Sequence, residues 1–268
     1  MATAFLSLTT VRRPFSHSLQ ILLKEVKYEF LKNLRLRMYS VSVVFFPVMF
    51  YILFGLVLGR QGSDHIHMAS YLIATYGTFG VMGASLFGTA ASLAAERGLG
   101  WLQVKRASPM PPAIYFVAKV IMAMIFSAEV VFLLMLLGFF FGGVRMPVTE
   151  ALRLLGILVV GSVPFCAMGL ALGYFIGPNS APPTINMIYL PMSFCSGLWV
   201  PLMFLPSIMR HIAEFLPPYH LSQLALGVSG AGQGEPALRH WFVLVGFTLI
   251  CLGIARIGFQ RDEGKTYG

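Results

Sequence analysis

Glu129 is the residue whose type and position suggest chemistry most directly. It lies ten residues after Lys119 in an otherwise apolar run, which on a helix places it about 15 Å further along the axis. If this run crosses a membrane, an acid there is unfavourable unless it is paired or faces water, and such acids often mark a substrate path. Two interpretations stay open: Glu129 lines a substrate path, or its protonated or hydrogen-bonded side chain packs between helices.

The other candidates for chemistry are weaker. The segment from Gly258 to Thr266, "GFQRDEGKT", resembles a phosphate-binding loop, but five residues separate its glycines where the motif has four. His65 and His67 flank one residue in a polar stretch and are expected to be solvated rather than metal ligands. The three cysteines have neither metal-ligand spacing nor a pairing pattern: Cys166, Cys195 and Cys251. We therefore expect no catalytic residue, no metal and no directly bound cofactor.

The composition explains why so little chemistry is visible. Of 268 residues, 57% are hydrophobic and 11% are charged, and the mean hydropathy is +0.78. A soluble domain has about 25% charged residues, so this is a membrane protein. A bilayer core of about 30 Å needs about 20 mostly apolar helical residues per crossing. The apolar runs predict an all-α protein with six spans, at residues 39–59, 71–95, 113–141, 153–177, 183–205 and 240–257.

The fourth and fifth spans come from one uninterrupted run. Residues 154–209 contain no Asp, Glu, Lys or Arg, and the run is too long for one crossing at about 1.5 Å per residue. It must therefore fold back. The sequence "GPNSAPP", from Gly177 to Pro183, contains three prolines and an asparagine, which favour a tight turn.

Lysine and arginine are distributed unequally about these spans. Fourteen fall in residues 1–38, in the stretch from Ala94 to Val120 and in the C-terminal residues from Arg256 onward. Five fall on the other side: Arg60, Arg145, Arg153, Arg210 and Arg239. Because cytoplasmic loops are rich in Lys and Arg, we predict that both termini and the 96–112 loop are cytoplasmic. The net charge of +9 then reflects topology and attraction to anionic lipid, and nucleic acid is not an expected partner.

Two of the cytoplasmic segments have patterns of their own. In the first, apolar residues recur at helical spacing beside basic ones, which predicts an amphipathic helix on the membrane surface. The apolar positions are Leu19, Leu22, Leu23, Val26, Phe30 and Leu34. In the second, charged residues and glycines are followed by Pro111 and Pro112 at the start of the next span. This predicts a short amphipathic segment that projects from the membrane, although an ordinary basic connector would have the same spacing.

The sequence "ERGLGWLQVKRASPMPPAIYFVAK", from Glu96 to Lys119, resembles the loop between the second and third spans of type-2 ABC exporter permeases. The resemblance extends to the basic N-terminus, the six spans, and "SGLWVPLMFLPSIMRHIAEFLPPYHLSQLALG" from Ser196 to Gly227. It is greatest for the drug and antibiotic efflux members. The family is defined by pattern and order more than by invariant residues.

This resemblance implies a cytoplasmic coupling helix between spans two and three that docks on a separate ATP-binding subunit. The implied contact residues are Glu96, Arg97, Gly98, Gly100, Leu102, Val104, Lys105, Arg106 and Pro109. Leu102 and Val104 would be the apolar anchors. It further implies an N-terminal interface helix at Phe15–Arg37 and a re-entrant outer hairpin between spans five and six, where Pro206, Pro217 and Pro218 interrupt helices.

The expected assembly is a transporter in the bacterial inner membrane with two ATPase copies, which bind the ATP, and a second permease copy or paralogue. We expect residues 1–38 to be the cytoplasmic N-terminus, 39–257 a single transmembrane domain and 258–268 a cytoplasmic tail. The expected substrate is an apolar or amphiphilic molecule moved out of the cytoplasm. A six-span enzyme acting on lipid is the alternative, but it would need clustered acids, histidines or cysteines near one interface.

A stripe of small residues in the second span has two interpretations. The stripe consists of Gly77, Gly80, Gly83, Ala84, Ser85 and Gly88. Small residues allow close helix approach, either between two permease copies along a substrate path or between spans of one chain. The spacing alone does not separate these two cases.

Overall fold

The structure is a computed structural model that describes residues 15–35, 37–58, 65–107 and 111–264. These residues form helices and connecting turns, with no strand among them. The α-helices are α1 (Phe15–Arg35), α2 (Arg37–Phe50), α3 (His65–Leu86), α4 (Ser92–Gly98), α5 (Trp101–Ala107), α6 (Pro112–Phe141), α7 (Val148–Val160), α8 (Val163–Phe175), α9 (Ala181–Cys195), α10 (Ser207–Ala213), α11 (Pro217–Val228) and α12 (Ala237–Gly264). Two π-helical segments, Tyr51–Leu58 and Phe87–Ala91, continue α2 and α3.

Within the described residues, four helical segments are long and apolar enough to cross a membrane. They are Met68–Gly98, Ala113–Phe141, Val148–Phe175 and Ala237–Asp262, and Val43–Leu58 is a shorter apolar helix. The four overlap the predicted second, third, fourth and sixth spans. The chain is therefore an all-helical membrane protein, and the count of six spans remains a prediction.

The predicted fifth span, 183–205, ends ten residues early. Helix α9 stops at Cys195, so its 15 residues cover only about 22 Å. The stop has a local cause in Gly197, which has φ +74°. The N–H of Leu198 donates to Ser193 O at 3.2 Å and that of Gly197 to Phe194 O at 3.1 Å, which is the hydrogen-bond pattern of a glycine-terminated helix.

The prolines of the predicted outer hairpin begin helices rather than interrupt them. Pro206 is the N-cap of α10, and Pro217 is the first residue of α11. The fixed φ of proline suits the first turn, where no intrahelical N–H bond is made. Helix α11 is buried along its length and packs against α3, α7 and α12.

One end of the bundle collects four segments that are far apart in sequence. Helix α1, the α4–α5 loop, the turn at 177–180 and the end of α12 meet there, as contacts of Lys32 with Glu96, of Pro178 with Gly98 and of Arg97 with Asp262 show. We call it the charged end. At the opposite end, Gly142 lies against Leu56. Helices α8 and α9 are therefore joined at the charged end, as the "GPNSAPP" turn predicted.

The small residues of the second span serve packing within the chain. All six are buried. A Cβ at Gly80 would lie 2.9 Å from Pro47, and one at Gly83 would lie 2.8 Å from the Tyr189 hydroxyl, which donates to Phe79 O at 2.9 Å. Helix α3 is thus the central helix of this bundle, and the stripe is enclosed by neighbouring helices of the same chain.

The arrangement of the ends predicts which turns a membrane-impermeant maleimide reaches. Asn179 and Ala231 are both exposed, and they lie in turns that precede α9 and α12. If the charged end is cytoplasmic, Ala231→Cys should react in sealed right-side-out vesicles, while Asn179→Cys should react only after permeabilisation. The parent chain is the background control, because Cys195 is partly exposed while Cys166 and Cys251 are buried. Labelling of Asn179→Cys in sealed vesicles would instead place the turn between α8 and α9 on the outer side of the membrane.

Candidate functional site

Six ionisable side chains from four helices form one cluster at the charged end. We call this the charge cluster: Glu25, Glu29 and Lys32 of α1, Glu96 of α4, Lys105 of α5 and Lys119 of α6. Three lysines balance three glutamates. Because removing a charge from water is unfavourable unless an opposite charge and hydrogen bonds replace the solvent, the six residues are interdependent.

Lys119 is the most deeply buried member. Its side chain is fully buried, and its ammonium group donates to Glu29 Oε1 at 3.2 Å, Glu96 Oε1 at 3.0 Å and Ser92 Oγ at 2.7 Å. An ammonium group has three protons, and all three are satisfied. The Nζ atom also lies 4.8 Å from the centre of the Tyr115 ring, a cation–π contact. Lys119 therefore joins α1, α4 and α6 at one atom.

Glu96 is the acceptor shared by most of the cluster. Its Oε1 accepts from Lys119 and Lys32, and its Oε2 accepts from the Tyr115 hydroxyl at 2.6 Å. The Ser92 hydroxyl, one turn earlier, donates to Oε1 at 3.3 Å. A carboxylate with several donors is held in one orientation. The last turn before the α4–α5 loop is thus fixed to α1 and to the base of α6.

Lys32 and Lys105 complete the cluster at its more exposed side. Burial disfavours the charge on Lys32, but the carboxylates of Glu96 and Glu29 outweigh it and raise the pKa of this lysine. Lys105 donates to Glu25 at 2.6 Å and lies 4.4 Å from the centre of the Tyr115 ring. The Lys32–Glu96 pair connects α1 to α4, and the Lys105–Glu25 pair connects α1 to α5. The cluster therefore holds the helices on both sides of the loop.

A second ionic contact holds the loop to the C-terminal helix. Asp262 Oδ1 accepts from Arg97 Nε at 3.1 Å and from Arg97 Nη2 at 3.0 Å, while Arg97 Nη1 donates to Gly173 O at 2.9 Å. A Cβ on Gly98 would lie 2.5 Å from the Pro178 ring, so a glycine is required for this approach. The end of α4 is therefore clamped by α8, the following turn and α12.

The loop presents an apolar patch on its outer side. Leu99, Trp101 and Val104 are 74%, 55% and 61% exposed, and we call these three residues the loop patch. The turn between α4 and α5 is made by Gly100, which has φ +73°, a conformation that favours glycine. Large apolar side chains grouped on a loop in this way usually mark an interaction surface.

The predicted coupling residues divide into two groups. Glu96, Arg97 and Lys105 bind other parts of this chain, and Leu102 is 6% exposed in a cluster with Leu93 and Tyr174. Val104 faces outward. Gly98 and Gly100 shape the backbone. Pro109 and the side chain of Arg106 lie outside the residues that the structure describes.

Glu129 lies apart from this site. It is exposed on the outward face of α6, with exposed Ile125 and Phe132 one turn away on either side, and no described residue hydrogen-bonds to it. The sequence left open whether this acid lines a substrate path or packs between helices. In the single chain it faces outward.

The sequence identified only two of the six cluster residues, Glu96 and Lys105. Lys32 and Lys119 were counted for topology, and Glu25 and Glu29 were given no role. Ser92 and Tyr115, which contact these residues, and Asp262, which pairs with Arg97, were also missed. One signal was present: Glu25, Glu29 and Asn33 recur every four residues, which places a polar stripe on one face of α1. That stripe faces α6, because the Asn33 amide nitrogen lies 3.5 Å from the Met122 sulfur of α6. Within α1, the same amide donates to Glu29 O at 2.8 Å.

The charge balance predicts the effect of removing Lys119. Lys119→Met leaves three acids against two lysines, and an uncompensated buried charge lowers stability by about 3–5 kcal/mol. We expect a lower melting temperature in detergent and lower abundance in membranes. Lys119→Met with Glu96→Gln restores the balance and should recover part of the loss. Arg145→Met, at an exposed position near the other end of the bundle, is the control, and a Lys119→Met variant as stable as that control would contradict the role of the cluster.

Comparisons with known proteins agree with this architecture. The family profile described as ABC-2 type transporter matches residues 22–228. A protein of Bacillus subtilis (strain 168) named "Putative transport permease YvfS" is 23% identical over 249 residues, which is 91% of this chain and 99% of that protein. Since the family profile spans from the charge cluster's first helix to the end of α11, the chain belongs to the ABC-2 type transporter family and is a transport permease rather than an enzyme.

Proposed function

We propose that this permease is the membrane subunit of an ATP-driven exporter and that its ATP-binding subunit docks on the loop patch. The observation that carries the proposal is the exposure of Leu99, Trp101 and Val104 on a loop fixed from behind by the charge cluster. A docking surface that transmits force must be exposed, so that the partner can bind it. It must also be held rigidly, so that it moves the rest of the permease when the partner moves.

The position of the patch favours a protein partner over lipid. The patch follows directly on the cluster residue Glu96 and on Arg97, whose guanidinium pairs with Asp262. Ionic side chains of this density are expected beyond the hydrocarbon region, where apolar side chains would otherwise face water. Trp101 is also a residue type enriched at binding hot spots.

The charge cluster supports a route for the motion. ATP binding would bring two ATPase subunits together, and each would displace the loop that it holds. Because Glu96 and Lys105 connect this loop to α1 and α6, these helices would move with it as a rigid body. The permease itself carries out no bond chemistry, and ATP is bound by the partner subunits.

The proposed assembly contains two permeases and two ATPase subunits in a bacterial inner membrane. The second permease is a copy of this chain or a paralogue. Glu129 is the candidate for the substrate path, because an acid on the outward face of a span needs a protein, water or substrate neighbour. The apolar surroundings at Ile125 and Phe132 suit an apolar or amphiphilic substrate.

Substitutions on the exposed and the buried side of the loop should have different effects, on ATPase binding and on permease abundance respectively. Val104→Asp should reduce the ATPase activity that co-purifies with the tagged permease at least tenfold, because it buries an unpaired charge in the proposed interface. Permease abundance should stay normal. Leu102→Asp should instead lower abundance, since Leu102 packs inside the chain. Val148→Asp, at a residue 73% exposed near the other end of the bundle, is the matched control.

Two results would contradict the docking proposal. One is a Val104→Asp variant that retains the parental co-purifying ATPase and the parental export rate. The other is a Leu102→Asp variant of normal abundance that has lost the ATPase, which would make Leu102 the anchor in a rearranged loop.

A further inference from the structure

The two sides of α1 carry opposite charges. Its acids Glu25 and Glu29 face inward and belong to the charge cluster. Lys24, Lys27 and Arg35 are exposed, and none of them pairs with a residue that the structure describes. The inward acids are thus neutralised by Lys32, Lys105 and Lys119, while the outward cations have no ion-pair partner among the described residues.

The outward cations follow the helix in a regular row. Lys24, Tyr28, Leu31 and Arg35 recur at intervals of four, three and four residues, which places them along one ridge about 16 Å long. An open hollow of about 390 Å³ lies along its C-terminal half, between Tyr28, Leu31, Lys32 and Arg35. The Lys32 ammonium group is turned to Glu29, Ser92 and Glu96. The donors left at the hollow are therefore the Arg35 guanidinium and the Tyr28 hydroxyl.

An apolar stripe runs beside the basic row. Leu19, Leu23 and Leu34 are 44%, 61% and 51% exposed, and a helical rotation of 100° per residue places them on the adjoining side of α1. A basic row beside an apolar stripe is the pattern of a helix that lies in the headgroup region of a membrane. A water-exposed protein interface would not require this continuous apolar side.

We propose that the outer face of α1 is a binding site for anionic phospholipids. Phosphate groups would lie along the row, with Arg35 and Tyr28 at the hollow and Lys24 and Lys27 further along. The acyl chains would lie on the leucine stripe. Arginine and tyrosine donate to phosphate oxygens, and three exposed cations favour an anionic over a zwitterionic headgroup.

Lipid binding on this face would support the charge cluster from outside. The same helix holds Glu29 against Lys119 and Phe30 against Phe126, whose ring centres are 5.7 Å apart. Lipid that fixes α1 at the headgroups therefore also favours its contact with α6. This inference does not depend on the ATP-binding subunit, since the permease alone contains every group involved.

The test is a lipid titration of the purified full-length permease in detergent without any ATPase. Dioleoyl phosphatidylglycerol is added in one series and dioleoyl phosphatidylcholine in another, and the melting temperature is followed. The variant is Lys24→Gln with Lys27→Gln and Arg35→Gln. The matched control removes three exposed cations elsewhere, as Arg145→Gln with Arg153→Gln and Arg210→Gln.

We expect phosphatidylglycerol, but not phosphatidylcholine, to raise the melting temperature of the parent and the control. One cation at an anionic surface is worth about fivefold in affinity, so the α1 variant should need at least tenfold more phosphatidylglycerol. An α1 variant that responds like the control would overturn the proposal. The same holds if inorganic phosphate alone reproduces the stabilisation, or if the variant keeps its lipid response but loses a co-purifying ATPase.

Discussion

The buried ammonium group of Lys119 is the interaction on which the charged end of this permease depends. A lysine enclosed by protein needs an acceptor for each proton, and these acceptors come from α1 and α4. Removing either acid upsets the charge balance in a region of low dielectric constant, and removing the Ser92 hydroxyl leaves an ammonium proton without an acceptor. For this reason α1 and α4, which carry the acceptors, have a single favourable arrangement around α6. The position of the loop between α4 and α5 is fixed by the same contacts.

The rest of the charged end extends this arrangement. Arg97 carries the connection to α8 and α12 through Gly173 and Asp262. Lys105 returns from α5 to α1 through Glu25. The loop is therefore held by ion pairs to α1, α6 and α12, while Leu99, Trp101 and Val104 are exposed. Rigid support behind an exposed apolar surface is what a force-bearing contact requires, and it also separates residues that fix the loop from residues that can bind a partner.

Much of the fold could be predicted from the sequence because bilayer thickness constrains apolar runs directly. Four of the predicted spans coincide with long apolar helices, and the turn at 177–180 lies where its prolines indicated. The fifth span was set too long because hydropathy does not report where a helix ends. Its end depends on Gly197 in a left-handed conformation, and the apolar run continues beyond it without a break in composition.

The candidate site was harder to predict because its contacts join residues distant in sequence. Lys119 and Glu29 are 90 residues apart, and the sequence around one residue does not indicate the other as its partner. Leu102 and Val104 look equivalent in the sequence, yet one packs on Leu93 and Tyr174 while the other is exposed. Helical spacing shows which residues share a face of α5. Which of these faces packs against the bundle depends on the position of α6 and α8.

The ion pairs of Lys105 and Lys119 predict that α1 and the α4–α5 loop form one body with the base of α6. Gln20 and Gln103 are exposed on α1 and α5, so nitroxides on cysteines placed there report the distance between the two helices by electron spin resonance. In the permease–ATPase complex we predict one narrow distance distribution that is the same with and without ATP, and a broadened one when Lys119→Met is added. A distribution that shifts by several ångström on ATP binding in the parent would show that the loop moves relative to α1 and would contradict the account.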